Sequence, residues 1–341
     1  MPALVTIVTR TLGRPCLADA AASVAAQTYR PIEWLVVDAA GSGVVPPAAG
    51  DVEVRVIGNG ERMLRSRAGN FGFLHARGAR GMVLDDDDLL LPRAVELLSN
   101  ALEANPPMRV AYGNVAVETE SGIEYEYMFE YSELALLMRN LFPPNAAMFD
   151  LSLMRNDGVR FDEGIDYFED WDLWLKAAAL TPFAHVRERT GVYRLQLSQS
   201  GVWDYERPGS DPRIAQDLQT VRERYAARRS PLWQAFEAKK REARSFAASG
   251  RLEAAATAWL GAHVMLPFDE EPVVGYATIA LRAGDERAAQ FTLMSALALA
   301  PGSATYATML ATILERQGKS EAARQVLEQA ACCRAPPSVQ R

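Results

Sequence analysis

The sequence has few cysteines, few histidines, no long apolar run and no excess of positive charge. Its three cysteines, Cys16, Cys332 and Cys333, are an odd number with no C-x-x-C pair. That excludes a disulfide framework and a thiolate zinc site, and it fits a reducing compartment. No stretch reaches 18 apolar residues, so no transmembrane helix is expected. Residues 1–9 carry no basic segment and no small-residue cleavage site, and Arg10 comes too early for a signal peptide. The expected location is cytoplasmic, at most peripheral at the inner membrane surface. Lys and Arg number 36 against 43 Asp and Glu, a net charge of −7. A general nucleic-acid binder carries a basic footprint, so this balance speaks against one, but it leaves room for an anionic small ligand reached through a metal ion. What is present is a globular composition with 49% hydrophobic residues, in a chain of 341 residues long enough for two domains with a core each.

The two parts of the chain follow different rhythms. Up to about residue 200, short β-rich runs (4–8, 34–37, 52–57 and 82–84) alternate with helical compositions (16–27 and 63–76). Strand, helix and strand at this spacing indicate βαβ units and a mostly parallel sheet. From Arg109 the runs 110–112, 115–117 and 123–127, with Ser121-Gly122 between the last two, suggest an antiparallel excursion and hence a mixed sheet. The last hundred residues are Ala- and Leu-rich helix. There Gly250, Gly284 and Gly318 recur every 34 residues, as do Ala255, Ala289 and Ala323, and Ala262, Ala296 and Ala330. Trp259, Leu293 and Leu327 hold one large apolar column, and Pro267 and Pro301 keep the register with Pro336 one residue late. Small residues let two helices approach, Gly serves the turn, and Pro ends the second helix. This register resembles the tetratricopeptide repeat over about residues 234–334. Such stacks commonly contact a peptide or a sister subunit, and a purely structural extension gives the same pattern. The expected domains are therefore 1–230 and 231–341.

The most informative segment is Gly81-Met82-Val83-Leu84-Asp85-Asp86-Asp87-Asp88-Leu89-Leu90-Leu91-Pro92. An apolar strand delivers four carboxylates at its C-terminal end, the edge where α/β proteins bind ligands. Adjacent like charges repel, and a hard divalent cation relieves that repulsion, since Mg²⁺ and Mn²⁺ prefer carboxylate and phosphate oxygens. A solvated acidic loop before a Pro92-initiated helix is the plainer reading.

These residues, in order, resemble glycosyltransferase family 2 with its GT-A fold over about residues 3–205. Val5-Thr6-Ile7-Val8-Thr9-Arg10-Thr11 is similar to the family's first strand, and Ser23-Val24-Ala25-Ala26-Gln27-Thr28-Tyr29 to its first helix end. Glu33-Trp34-Leu35-Val36-Val37-Asp38 is similar to the second strand with its acidic tip. Ala68-Gly69-Asn70-Phe71-Gly72 with Ala76-Arg77-Gly78 resembles the A-R-N-x-G…A-x-G segment. Leu84 to Asp88 resembles the metal motif L-D-x-D-D, and Glu169-Asp170-Trp171-Asp172-Leu173-Trp174-Leu175 resembles the E-D-x-D-L-W-L helix. The fold it implies is a doubly wound, mixed, mostly parallel sheet flanked by helices.

The resemblance implies a donor nucleotide-diphospho-sugar, a UDP-sugar foremost, with an Mn²⁺ or Mg²⁺ ion and a glycan or other acceptor hydroxyl. Asp38 with Thr11 would receive the base or ribose, Asp85 the ribose, Asp86, Arg67 and Asn70 would line the donor pocket, and Asp87 with Asp85 would hold the metal. Asp170 would be the general base, with Glu169 beside it and Asp172 in reserve. The chemistry is coherent in itself. Charge growing on a departing diphosphate is neutralised by a cation, and a carboxylate on the opposite face takes the acceptor proton, which predicts inversion. In the plainer reading, Trp171, Trp174, Leu175 and Ala178 form a core stripe and the two acids serve the helix N-terminus.

Ala39, Leu12, Gly69 and Gln196 depart from the family pattern. Arg65 and Arg67 lie close to Gly69, where the family carries Arg. Gln196 stands where the family has a His that sometimes completes the metal shell. His75, His185 and His263 do not cluster and are read as structural. A sugar-phosphate nucleotidyltransferase would need a glycine-rich turn after the first strand, where only Gly13 is present, and a dehalogenase-like phosphatase would need its Asp on the first strand. The remaining rival is a non-catalytic adaptor whose degenerate transferase domain carries partner-binding repeats.

Overall fold

A computed structural model describes residues 2–195 and 211–332; Gln196, Cys333 and Pro336 lie outside these residues. The chain divides into two compact units, Met1–Tyr131 with Asn140–Arg224, and Ser132–Arg139 with Tyr225–Arg341. The division falls at residue 224, where sequence reading placed it at 230. Arg228-Arg229-Ser230-Pro231, at the expected boundary, lies inside one continuous helix of the second unit, which accommodates Pro231 in its interior.

The first unit begins β1 (Val5–Thr11), α1 (Leu17–Ala25), β2 (Ile32–Asp38), β3 (Glu53–Ile57), α2 (Arg65–His75) and β4 (Arg80–Val83). It continues with β5 (Leu89–Leu90), α3 (Ala94–Ala104), and the hairpin β6 (Val110–Thr119) and β7 (Gly122–Tyr127). The short α4 (Glu133–Met138) follows in the chain but packs with the second unit. Next come β8 (Ala147–Asp150), α5 (Ser152–Arg155), α6 (Glu169–Ala177), β9 (Phe183–Arg194) and α7 (Pro212–Arg224).

The strands form one sheet in the order β3-β2-β1-β4-β8-β6-β9-β5, with β7 paired to β6. β1 to β4 run parallel, β8 is antiparallel to both β4 and β6, and β6 and β9 run parallel. The sheet is therefore mixed, and parallel from β3 to β4. Every residue of β1 and β2 is buried, which is why these strands read as near-continuous apolar runs: helices cover both faces. Glu33, fully buried within β2, is tolerated because Thr6 donates to it at 2.6 Å, the Arg77 amide donates at 3.0 Å, and Arg55 pairs with it. Gly72 lets α2 lie directly on the sheet, since a Cβ there would stand 2.4 Å from Val8 Cγ1.

The second unit adds α8 (Ala226–Ala248), α9 (Leu252–Met265), α10 (Glu270–Arg282), α11 (Glu286–Leu299), α12 (Ala304–Arg316) and α13 (Ser320–Cys332). Consecutive helices pack as hairpins. The three 34-spaced glycines each close one hairpin in the left-handed region, with φ of 75°, 81° and 73° at Gly250, Gly284 and Gly318. Ala255, Ala289 and Ala323 sit at the close approaches, and Trp259 and Leu293 fill the core. The third member of that column, Leu327, is 44% exposed; among the described residues no helix follows α13 to cover it. No helix of the described residues is long and apolar enough to cross a membrane.

Candidate active site

The ends of β1, β2 and β4 lie side by side because their parallel register pairs Thr11 with Asp38 and Val8 with Val83. Leu84 extends β4 by one more bond, its amide donating to the Val8 carbonyl at 3.0 Å. The chain then leaves the sheet, and Asp85 to Asp88 turn over the end of β1. There Arg10, 6% exposed, meets them. Its Nε and Nη2 form a fork onto Asp85 at 2.7 and 2.6 Å, while Nη1 donates to Glu169 Oε1 at 2.8 Å. One guanidinium thus ties β1 to the loop after β4 and to the start of α6, in the bidentate geometry that suits arginine.

The four aspartates differ sharply. Burial alone would raise the Asp85 pKa, but the Arg10 guanidinium, with Arg65 and Arg14 further off, holds it below the usual carboxylate range. Asp86 accepts from Thr11 Oγ1 at 2.5 Å and pairs with Arg14. Asp87 meets Arg14 at 3.0 Å through Oδ2, yet burial and the neighbouring Asp85 and Asp86 charges push its pKa up. Asp88, deeper still, is pushed well up by burial and by Asp87 and Asp85, although the Arg194 amide donates to it at 3.1 Å. Arg194, at the end of β9, also donates from Nε to the Asp87 carbonyl at 2.6 Å and from Nη1 to Asp19 at 2.7 Å, and its Nη2 is buried without a partner among the described residues.

Across from this loop, Glu169 and Asp170 open α6. The preceding Phe168 is the sole non-glycine residue in the left-handed region among those described, with φ of 61°. Asp217 of α7 fixes the approach by accepting the Asp166 and Tyr167 amides at 3.0 Å each. Asp170 is pushed up to about 7 by burial and by the adjacent Glu169, against the pull of an Asn140 hydrogen bond and of Arg10. Asn140 Nδ2 donates to Asp170 Oδ2 at 2.7 Å. Asp172, by contrast, is committed elsewhere: Arg224 donates to it at 2.7 Å and Lys176 pairs with it at 2.6 Å. Trp171, Trp174 and Leu175 are core residues, so the apolar stripe and the acids occupy the same helix without conflict.

The structure therefore brings together Thr11, Asp85, Asp86, Asp87, Glu169 and Asp170. Asp38 lies at the same edge beside Thr11, but its carboxylate gathers the amides of Ala40, Gly41, Gly43 and Val44 at 2.7–3.2 Å. Against the cost of burial, these amides hold its pKa below the usual range. Arg67 and Asn70 do not join the group. Arg67 is half exposed, 3.6 Å from Glu61, and Asn70 clips the 161–163 segment, donating to Phe161 O and Glu163 at 3.0 and 2.9 Å. Arg65 feels the Glu169 and Asp85 charges. The histidines stay apart from the group: His75 bonds Phe71 O, and His185 lies between Asn114 and Glu130. Sequence reasoning passed over Arg10, Arg14, Arg194 and Asn140 as site residues. Arg10 was legible in hindsight, as a charge inside a run of buried strand residues.

Magnesium-type ions are usually held by one or two carboxylates completed by substrate phosphates and water. Among the described residues no three acidic, histidine or cysteine side chains converge on a point, and both Asp85 oxygens are taken by Arg10. Asp87 does fit such an ion as a single-carboxylate anchor, because a cation there would relieve the like-charge crowding that raises its pKa.

Residues 5–155 match the family model described as Glycosyl transferase family 2. Over 173 residues the chain is 27% identical to "Uncharacterized glycosyltransferase YwdF" of Bacillus subtilis (strain 168), a match covering 48% of this chain and 63% of that protein. It is 31% identical over 130 residues to "Uncharacterized protein y4gI" of Sinorhizobium fredii (strain NBRC 101917 / NGR234), covering 38% of this chain and 14% of that one. The chain thus spans less than two thirds of either relative. The crystal structure of S. aureus TarS 1–349 in complex with UDP-GlcNAc superposes with a TM-score of 0.48 at 12% identity, over 95% of this chain and 90% of that one.

Proposed function

We propose, for a chain that carries a glycosyl transferase family 2 domain, that it moves a sugar from a nucleotide-diphospho-sugar, a UDP-sugar foremost, to an acceptor hydroxyl in one inverting displacement. The observation that supports this best is the convergence at one sheet edge of two carboxylate sets, Asp85–Asp87 after β4 and Glu169–Asp170 on α6, bridged by Arg10. Two separated carboxylate functions are what the chemistry needs: one toward the leaving group and one toward the nucleophile.

In this reading Thr11 and Asp38 face the nucleoside, Asp85 and Asp86 the ribose and its neighbourhood, and Asp87 the diphosphate. A divalent ion, Mn²⁺ or Mg²⁺, carried on Asp87 would neutralise the charge that develops on the departing diphosphate. Asp170 removes the acceptor proton as the new C–O bond forms and the bond to the diphosphate oxygen breaks. A base poised near neutrality suits this task, since it is ionised enough to accept a proton and basic enough to want one. Glu169 holds Arg10 in place beside it. The helical unit, read as tetratricopeptide-like, would contact a protein partner or a second copy, and the location would be cytoplasmic or peripheral to the inner membrane surface.

Thermal shift with UDP, GDP and ADP, each with and without Mn²⁺, tests the reading without knowledge of the acceptor. A ligand at 100 times its Kd adds about 2.7 kcal/mol. Asp87→Ala should abolish the metal-dependent part of that shift. No shift with any nucleotide in either condition would overturn the transferase reading and leave the adaptor.

A further inference from the structure

Asn140 is the residue where the chain returns to the first unit after residues 132–139. Its amide has an uneven environment. Nδ2 donates to Asp170 Oδ2 at 2.7 Å, whereas Oδ1 is buried and, among the described residues, without a hydrogen-bond partner. An unsatisfied buried carbonyl costs roughly what the one bond on the other side returns. Asn140 therefore contributes little to the fold for its own sake. What it does is hold one oxygen of a carboxylate that stands among the charges of Glu169, Arg10 and, through Glu169, Arg65.

We propose that Asn140 is a positioning residue for Asp170, anchoring Oδ2 so that Oδ1 is the oxygen presented to the acceptor hydroxyl. This rests on the reading of Asp170 as the general base. Two consequences follow from the direction of the hydrogen bond. The bond restrains rotation of the carboxylate, as does the Trp171 amide that also donates to it, so the proton is taken from one direction. In addition, a donor to the ionised form favours that form, so Asn140 opposes the burial and the Glu169 charge that push Asp170 upward. Without it burial and the Glu169 charge would push Asp170 further up.

The test is a ¹³C NMR titration of the full chain labelled at the aspartate carboxyl carbon, with the Asp170 signal assigned by its loss in Asp170→Asn. In Asn140→Ala the Asp170 midpoint should lie about one pH unit higher than in the wild type, the size expected for losing a bond to a charged group. Asn140→Ser, whose hydroxyl is a weaker and shorter donor, should fall between the two and guards against a misfolded alanine variant. Where turnover is measurable, the acidic limb of kcat/KM should move by the same amount, while the nucleotide-induced thermal shift stays unchanged. An Asp170 midpoint that does not move in either variant overturns the positioning role. Full turnover by Asp170→Asn would instead overturn the base assignment, so the two failures are distinct.

Discussion

Replacing Arg10 with methionine keeps the length and apolar stem of the side chain and removes only the guanidinium. In the folded protein that guanidinium is 6% exposed and makes three charge-assisted bonds of 2.6–2.8 Å to Asp85 and Glu169. Removing one partner of a buried pair leaves an uncompensated charge and costs about 3–5 kcal/mol. For a unit of this size that corresponds to a fall in Tm of about 10 °C. The pH dependence has a definite sign. Asp85 sits below the ordinary carboxylate range when folded, so its contribution is present above the unfolded pKa of about 4 and is lost as the pH falls through the lower folded value. Without Arg10, burial instead raises Asp85, and its ionised form penalises folding increasingly as the pH rises. The stability gap between wild type and Arg10→Met should thus be widest near pH 7 and narrow toward pH 4. Scanning calorimetry across that range measures it, with the first unit's transition identified by loss of hydrogen-exchange protection in β1 and β2. A loss under about 1 kcal/mol at pH 7, or a gap that widens on acidification, would refute the view that Arg10 is the cation on which this edge of the sheet depends.

Asp170→Asn should keep the nucleotide-induced thermal shift and lose turnover by about 10²–10⁴-fold; unchanged turnover would move the base elsewhere. Because Asp170 is pushed up to about 7, wild-type kcat/KM should rise with pH through that region, and a profile flat from pH 6 to 8 would contradict the assignment. Gly72→Ala places a Cβ 2.4 Å from Val8 Cγ1 and 3.0 Å from Val37 Cγ2, an overpacking worth about 1–3 kcal/mol. Equilibrium unfolding in urea should show it, and a variant as stable as wild type would mean that α2 can ride up off the sheet freely.

The fold was legible where the physics is local. The runs at 4–8 and 34–37 announce strands buried on both faces, and the sheet makes both of them interior strands, β2 between β3 and β1 and β1 between β2 and β4. The 34-residue glycine column announces helical hairpins, because the turn between closely packed helices needs a left-handed residue, and each glycine adopts that conformation. The insertion of residues 132–139 into the second unit left no such trace. α4 is six residues long, and its allegiance depends on contacts with residues about a hundred positions away, for which no periodicity exists. The end of the first unit was hidden for the opposite reason: Pro231 and its basic neighbours look like a break, yet they lie inside α8.

At the site the acids were legible and the cations were not, and the asymmetry has a physical source. Four consecutive aspartates are conspicuous because nothing in local structure favours them, so they demand an external explanation from the sequence alone. Their compensation comes from single residues far away in the chain. Arg10 reaches Asp85 across 75 positions and Glu169 across 159, and Arg194 reaches the Asp87 carbonyl across 107. Each looks like an ordinary strand residue until the sheet order places the strand ends together. This also changes what the acidic run means. Read in sequence it is a block of repelling charge awaiting a metal ion. In the fold, guanidinium contacts bear on Asp85 and Asp86, while on Asp87 and Asp88 burial and like charge prevail and push the pKa up. In the proposed transferase a further cation would therefore bear on Asp87, the one of the two that lies nearer the surface, because a single anchoring carboxylate is all that an ion completed by a diphosphate requires.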